Sequence, residues 1–193
     1  MSCLFIILEP KDLQLRNTFL MDLASTMRDL IQEVPGFPKP GILFKDITPI
    51  FSEPEVCAAI SQHIARRFPD IDAIAGIESR GFFWGMLVAQ ELQIPFVPIR
   101  KAGKLPRATR RQSYNLEYGE AALEIHEDAI LPNWQVLIHD DLLATGGTAR
   151  AAAHLVNQLG QCVGFSFLVE LSFLQGREQL SHLGLEIDTL LEY

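Results

Sequence analysis

The residues that most clearly indicate a functional site lie between positions 136 and 148. An apolar run ends at His139, two carboxylates follow at Asp140 and Asp141, and a turn of small residues at 144–148 then leads into a helical pattern. Backbone N–H groups at the start of a helix bind anions, and small side chains leave these groups accessible. Ionised carboxylates accept hydrogen bonds from hydroxyl groups. The order of these residues therefore predicts a sugar-phosphate site at the carboxyl end of a buried strand.

Two common nucleotide-binding motifs do not explain this turn. The sequence contains neither a GxxxxGK[ST] P-loop nor a GxGxxG dinucleotide fingerprint. For the segment taken alone, the alternative is a solvated strand-to-helix turn with two capping acids.

A basic segment in an acidic chain is the second candidate. The chain has 16 Lys and Arg residues against 24 Asp and Glu residues, which gives a net charge of −8. Six of the basic residues nevertheless fall within Arg100–Gly119, at Arg100, Lys101, Lys104, Arg107, Arg110 and Arg111. The segment is polar and aperiodic, which predicts a long loop. Positive charge concentrated on such a loop suits a lid over a polyanion, whereas the alternative is a solvated run of charges.

Composition argues against several other classes of protein. General nucleic-acid binding needs a positive surface, which a net charge of −8 opposes. The three cysteines, Cys3, Cys57 and Cys162, form no CxxC pair, so neither a disulfide framework nor a zinc site is favoured. The apolar run at 3–8 is short for a secretory signal, and no stretch approaches the length of a membrane span. These features predict a cytoplasmic protein.

Strand and helix patterns alternate along the chain, which predicts an α/β fold with a central, mainly parallel sheet flanked by helices. The predicted strands are 71–77, 96–99, 121–125, 135–139, 163–171 and 187–191, and the predicted helices are 23–34, 53–68, 81–92 and a helix from the small-residue turn to 159. Ligands of such sheets bind beyond the carboxyl ends of the strands, where the turns at 78–81 and 140–148 both fall. We expect an N-terminal extension of uncertain role at 1–20, with Met21 as a plausible alternative start, and one domain at 21–193.

Five segments occur in a fixed order along the chain: Gly41–Thr48, Gly76–Phe82, Arg100–Pro106, Tyr114–Gly119 and Asp140–Thr148. Together they resemble the type I phosphoribosyltransferase family, over about residues 35–171. The resemblance implies the fold of that family, with a flexible lid loop at about 100–119 and a small hood. It also implies a Mg²⁺-dependent purine-salvage enzyme that acts as a homodimer. The expected reaction transfers the phosphoribosyl group of 5-phosphoribosyl 1-diphosphate (PRPP) to adenine, giving AMP and diphosphate.

The resemblance places PRPP along three of these segments. Its 5′-phosphate is expected on Ala144, Thr145, Gly146, Gly147 and Thr148, and its ribose hydroxyls on Asp140 and Asp141. Its diphosphate is expected on Ser79, Arg80, Arg100, Lys101 and Lys104, some of them acting across a dimer interface. A non-proline cis peptide is expected at Glu78–Ser79. Mg²⁺ is expected to be held by PRPP and water, without a direct protein ligand.

The resemblance also assigns the base and the catalytic groups. Adenine is expected to contact Phe44, Lys45, Leu142 and Tyr118. Glu117 is expected to hold or donate a proton at the base, while Arg80, Asp140 and Asp141 complete the catalytic set.

Ala144 bears on the choice of base. The 6-oxopurine transferases that resemble this motif have an acid at the matching position, so Ala144 favours adenine. Two alternatives stay open: a xanthine-type purine phosphoribosyltransferase, and a PRPP-binding regulatory protein of the same fold. The chain departs mildly from the family at Glu78, Lys45 and His139, where Asp, Arg and an aliphatic residue are usual. We expect His139 to be structural.

Overall fold

The computed structural model describes residues 23–115 and 120–193. The chain divides into two compact units, residues 1–59 and residues 60–193. The extension predicted at 1–20, the proposed proton donor Glu117 and its neighbour Tyr118 lie outside the described residues.

The first unit contains a helix and a two-stranded ribbon. Helix α1 is described at residues 23–30, and strands β1 (Gln32–Pro35) and β2 (Leu43–Asp46) pair antiparallel. The helix predicted to reach residue 34 therefore ends earlier. Proline disfavours helical geometry in the residue before it, and Val34 instead pairs with Phe44 of β2. The Phe37–Pro38 peptide between the two strands is cis.

A seven-stranded sheet, in the order β5-β6-β4-β3-β7-β8-β9, forms the centre of the second unit. Helix α2 (Pro54–Arg67) runs into this unit, and the elements that follow are β3 (Ala73–Ile77), α3 (Gly81–Leu92), β4 (Phe96–Lys101), β5 (Thr109–Asn115), β6 (Glu120–His126), β7 (Gln135–Leu143), α4 (Gly147–Asn157), β8 (Gln161–Glu170), α5 (Gly176–Ser181) and β9 (Glu186–Glu192). Strands β4, β3, β7, β8 and β9 are parallel neighbours, while β5 and β6 are antiparallel. The predicted mainly parallel α/β sheet is confirmed.

Small side chains bring α4 close to the sheet. Ala149, Ala151, Ala152 and Ala153 are all at most 5% exposed, and they pack into the same core cluster as Ile138 of β7 and Phe165 of β8. This packing holds the N-terminus of α4 beside the end of β7.

Two local predictions were wrong. The segment 100–119 is not one long loop, because residues 109–115 form β5 and pair with β6. Strand β7 continues to Leu143 and pairs with β8 up to that residue. Asp140 and Asp141 therefore lie within the strand rather than after its end. Within residues 23–115 and 120–193, none of the helices combines the length and the apolar character that a membrane crossing requires.

Candidate active site

The carboxyl ends of β3 and β7 bring two separate turns together. These strands are parallel neighbours, with Gly76 opposite His139. The turn at 78–81 follows β3 and lies against the end of β7. A Cβ atom at Gly81 would be 2.6 Å from the carbonyl oxygen of His139, closer than real side chains approach. Glycine at position 81 therefore permits the contact between the two turns that the sequence placed at one edge of the sheet.

Arg80 and the two acids form an ion-paired cluster at this edge. Nε of Arg80 lies 3.0 Å from Oδ2 of Asp141, whose side chain is 7% exposed. The backbone N–H of Asp141 donates to Oδ1 of Asp140 at 2.9 Å. Three of the residues predicted to be catalytic are thus brought together.

The cluster shifts the proton affinity of both acids. Burial raises the pKa of Asp140 well above its usual range, and the negative charge of Asp141 raises this pKa further. Burial also raises the pKa of Asp141, although the Arg80 guanidinium opposes the shift. Both effects penalise the doubly ionised pair. A ligand that donates hydroxyl hydrogen bonds, or that develops positive charge, would stabilise the ionised form.

The turn at 144–148, here called the phosphate turn, is a candidate anion site at the start of α4. Gly146 is the N-cap residue with φ +82°, and no side chain caps the helix. The N–H of Arg150 donates to the carbonyl of Gly146 at 2.9 Å, which begins the helical bonding. The earlier N–H groups of a helix have no acceptor within the helix, and its dipole favours negative charge there. Thr145 is exposed, and Gly147 and Thr148 are half-buried, so this turn is open to a phosphate.

Arg100 connects the turn after β3 to the base of the predicted lid. Its guanidinium binds the carboxylate of Glu78 through two hydrogen bonds, from Nε at 3.2 Å and from Nη2 at 3.0 Å. Nη1 also donates to the carbonyl of Lys104 at 2.9 Å, and the N–H of Lys101 donates to Glu78 at 3.0 Å. The hydrogen bond from Arg100 holds the pKa of Glu78 below its usual range. The Glu78–Ser79 peptide is cis, as expected from the resemblance, and Ser79 is exposed.

The other cations of this segment have different surroundings. The side chains of Lys101 and Lys104 are exposed. Arg107 pairs with Asp128, and Nε of Arg110 lies 3.2 Å from Oε1 of Glu127. Lys101 and Lys104 are therefore better placed for a polyanion than the two paired arginines.

A cavity of about 310 Å³ lies beside the phosphate turn. It is lined by β5 and α4, with Tyr114 on one side and Gly147 and Arg150 on the other. The hairpin of the lid segment and helix α4 therefore face each other across this cavity, next to the phosphate turn.

The residues assigned to the base have the following surroundings. Phe44 of β2 packs edge-on against Phe37, with ring centroids 5.1 Å apart, and Lys45 pairs with Glu33 in the same ribbon. Leu142 is half-buried on β7, next to the acid pair. His139 is fully buried on the same strand, and burial lowers its pKa to about 4, which leaves the ring neutral at pH 7.

Comparison of the sequence with known protein families agrees with this geometry. The family model described as a phosphoribosyl transferase domain matches residues 47–180. The chain belongs to the phosphoribosyltransferase family. The family predicted from the five sequence segments is thereby confirmed.

Individual relatives narrow the comparison within this family. The adenine phosphoribosyltransferase of Natranaerobius thermophilus is 56% identical over 159 residues, which cover 80% of this chain and 92% of that protein. The crystal structure of adenine phosphoribosyltransferase from Rhodothermus marinus matches with a TM-score of 0.83 at 46% identity, covering 90% of this chain and 99% of that one. The Saccharomyces cerevisiae enzyme, crystallised with an imino-altritol bisphosphate and adenine, matches with a TM-score of 0.82 at 41% identity, covering 89% and 99%.

Two features of this phosphoribosyltransferase were missed by sequence reasoning. Glu78 was regarded only as a departure from the family, yet it binds Arg100 through both carboxylate oxygens. Helix α5 was not predicted, although Gly176 at its start contacts the phosphate turn. A six-residue helix has little periodicity to detect, and its contact partner lies about 30 residues earlier in the chain.

Proposed function

We propose that this chain transfers the 5-phosphoribosyl group of PRPP to adenine, producing AMP and diphosphate in purine salvage. The observation that carries the proposal is the cluster of Arg80 with the half-buried Asp140 and the buried Asp141, at the sheet edge where the phosphate turn begins. Relatives with the name adenine phosphoribosyltransferase support the choice of base, and the one from yeast was crystallised with adenine.

The proposed chemistry begins with loosening of the bond between the ribose C1 and the diphosphate. Positive charge develops on the ribose and negative charge on the leaving group. The carboxylates of Asp140 and Asp141 bind the ribose hydroxyls and stabilise the developing cation. The turn at 144–148 anchors the 5′-phosphate, and this remote binding energy orients the reacting carbon.

The diphosphate leaving group is assigned to residues of the turn after β3 and to cations of the lid segment. Ser79 and Arg80 face it from the turn after β3, and Arg100, Lys101 and Lys104 face it from the lid segment. The hydrogen bonds between Arg100 and Glu78 support this assignment, because they join the two segments that must close on one diphosphate.

The resemblance to the family supplies the assignment of the base. Phe44 and Leu142 stack on adenine, Lys45 reads its amino edge through the backbone, and Tyr118 closes the site against water. Glu117 holds or donates the proton at the base as the glycosidic bond forms. The match of the segments Gly41–Thr48 and Tyr114–Gly119 to the family supports these roles.

Mg²⁺ is part of the proposal. Among the described residues, no three His, Cys, Asp or Glu side chains cluster as a metal site. Mg²⁺ keeps several of its water ligands and prefers phosphate oxygens. Two adjacent carboxylates fit such an ion, because Asp140 and Asp141 would accept hydrogen bonds from its bound water molecules. When bound, Mg²⁺ supplies positive charge to the departing diphosphate.

A homodimer in the cytoplasm completes the proposal. Phe83, Met86 and Leu87 lie at helical spacing on α3 and are 50%, 53% and 39% exposed, an apolar face suited to a second copy of the chain. In such a dimer, basic residues of one chain's lid segment would act at the site of the other chain. The scattered cysteines, which form no CxxC pair, support a reducing compartment.

The test is a product assay with radiolabelled adenine, PRPP and Mg²⁺, in which the folded protein should form AMP. The same assay with hypoxanthine, guanine and xanthine should give little product. A preference for xanthine would replace the proposed substrate with that of a xanthine-type enzyme. Tight PRPP binding without any turnover would point instead to the regulatory alternative.

A further inference from the structure

We propose that Gly176, held in place by the ion pair between Glu170 and Arg177, is a positioning residue for the phosphate turn and sets the affinity for the 5′-phosphate end of PRPP. This inference rests on the proposed function, because it assigns that phosphate to residues 144–148. Gly176 itself touches no reacting atom. It acts through the backbone of the turn.

The start of α5 and the phosphate turn interlock through two glycines. A Cβ atom at Gly176 would lie 2.1 Å from the carbonyl oxygen of Ala144 and 3.0 Å from Cδ1 of Leu143. A Cβ atom at Gly146 would lie 2.7 Å from the carbonyl oxygen of Gly176. Neither position can accept a side chain unless the backbone moves. Gly146 also has φ +82°, a conformation that favours glycine.

The contact at Ala144 controls the direction of a phosphate-binding group. The carbonyl of Ala144 and the N–H of Thr145 belong to one peptide unit, which is planar. In a trans peptide these two groups point in opposite directions. With the carbonyl oxygen held against Gly176, the N–H of Thr145 is directed away from Gly176, and the proposal places the 5′-phosphate on that side. A shift of this carbonyl would therefore redirect the N–H group of Thr145.

Arg177 anchors the residue beside Gly176 to the sheet. Its Nε lies 3.1 Å and its Nη2 2.5 Å from Oε2 of Glu170, a residue at the end of β8 that is 3% exposed. The same guanidinium donates to the carbonyl of Ile187 and to Oγ1 of Thr189, both at 3.1 Å, on β9. A planar guanidinium with these four hydrogen bonds fixes the start of α5 against two strands.

The backbone between β8 and α5 is fixed as well. The N–H of Leu171 donates to the carbonyl of Leu143 at 2.9 Å, and the N–H of Ser172 donates to the carbonyl of Tyr193 at 2.9 Å. The segment from 170 to 177 is therefore held at its beginning by β7 and by Tyr193, which follows β9, and at its end by Arg177. The turn at 144–148 folds against a surface that is fixed from both ends.

The test compares Gly176→Ala with Gly160→Ala as a matched control. Gly160 follows the C-terminal end of α4. Its Cβ atom would meet Cγ2 of Ile130 at 2.7 Å and the carbonyl oxygen of Trp134 at 3.0 Å, so the control carries a milder clash far from the turn. We expect the Kd and KM for PRPP to rise about tenfold or more in Gly176→Ala, since the loss of one hydrogen bond to a charged phosphate costs about tenfold or more in affinity. The KM for adenine should stay within about twofold, and Gly160→Ala should change only the melting temperature.

Equal PRPP affinity in Gly176→Ala and the wild type, measured by calorimetry, would overturn the inference. A rise in the KM for adenine as large as that for PRPP would overturn it too, because general damage to the fold would explain both. A wild type that binds PRPP but forms no AMP would refute the proposed transfer and leave this comparison valid.

A milder variant keeps the inference testable if Gly176→Ala does not fold. Arg177→Lys retains the charge but loses the planar arrangement of donors. We expect a smaller rise in the KM for PRPP, with kcat and the KM for adenine preserved. Arg67→Lys, which weakens an exposed ion pair with Glu186, is the control and should leave all three constants unchanged. An unchanged KM for PRPP in Arg177→Lys would show that the anchor does not position the turn.

Discussion

Asp140 and Asp141 are adjacent in the chain, but successive side chains of a strand point to opposite faces of the sheet. Their surroundings differ accordingly. Asp141 contacts the guanidinium of Arg80, while Asp140 lies against the turn after β3, where a Cβ atom at Gly81 would be 3.1 Å from its Oδ1. At the scale of single residues, the two acids therefore differ in their nearest contacts, although both belong to the cluster with Arg80.

Replacing Asp141 by Asn should severely weaken the use of PRPP. The change removes the ion pair with Arg80 and one of the charges that would stabilise the ribose cation. We expect kcat/KM for PRPP to fall by about a hundredfold or more, as when a preorganised charge-stabilising group is lost. Asp128→Asn, which alters an exposed pair with Arg107, is the control and should retain activity. Steady-state kinetics that place Asp141→Asn within a few-fold of the wild type would contradict the assignment.

Replacing Asp140 by Asn should make the ligand-free protein more stable at neutral pH. The pKa of Asp140 is raised above its ordinary value of 3.8, so between these two values the native state binds more protons than the unfolded state. The free energy of unfolding therefore falls as the pH rises through this window. The variant should lose that dependence, which urea unfolding at pH 5 and pH 8 would measure. A variant with the wild-type pH slope, or one no different from Asp70→Asn, would show that Asp140 carries no such penalty.

At the scale of elements, the lid segment is a hairpin built on an edge strand. Strand β5 has the sequence Thr-Arg-Arg-Gln-Ser-Tyr-Asn, and its polar residues give no apolar alternation to detect. Pairing with β6, whose Leu123 and Ile125 are at most 1% exposed, supplies the order that the strand lacks by itself. Residues 116–119, which include the proposed proton donor, connect the two strands in the chain.

Replacing Glu117 by Ala should separate binding from turnover. The phosphate turn and the acid pair are untouched, so the Kd for PRPP should remain close to that of the wild type. Loss of a general acid or base typically costs about a hundredfold or more in rate, and kcat should fall accordingly. Calorimetry with PRPP and rapid-quench kinetics would measure the two quantities. Glu127→Ala, at an exposed pair with Arg110, is the control, and full activity in Glu117→Ala would remove its catalytic role.

At the scale of the whole molecule, the proposed active form is a pair of chains. The apolar face of α3 is the surface to which the second copy is assigned. Isolated exposed apolar residues are ordinary, whereas three at helical spacing on one helix are typical of an interface.

Replacing Met86 by Glu should weaken this dimer. The new carboxylate would be buried without a partner when two copies meet, which is unfavourable. Sedimentation velocity should show a shift toward monomer, together with a loss of activity if lid residues act across the interface. Leu131→Glu, at a site of similar exposure (55%), should leave the dimer intact. A wild-type protein that is monomeric and fully active would refute the shared-lid arrangement.

The sequence by itself determined the features that depend on local order. The apolar run of β7, the acid pair and the small-residue turn lie within 13 consecutive positions, so their chemistry could be predicted without knowing the fold. The alternation of strand and helix patterns likewise predicted a parallel sheet, and with it the meeting of the turns at 78–81 and 140–148, because parallel strands end at a common edge.

Only the tertiary structure decided the features that depend on distant partners. Asp140 and Asp141 remain in β7 because β8 pairs with that strand up to Leu143. Arg100 is directed by a carboxylate 22 residues earlier in the chain, and Gly176 sets the shape of the phosphate turn from a helix that the sequence pattern did not reveal. Such contacts join residues that are neither neighbours in the chain nor related by a helical or strand period. Their geometry is decided only when the elements pack against one another.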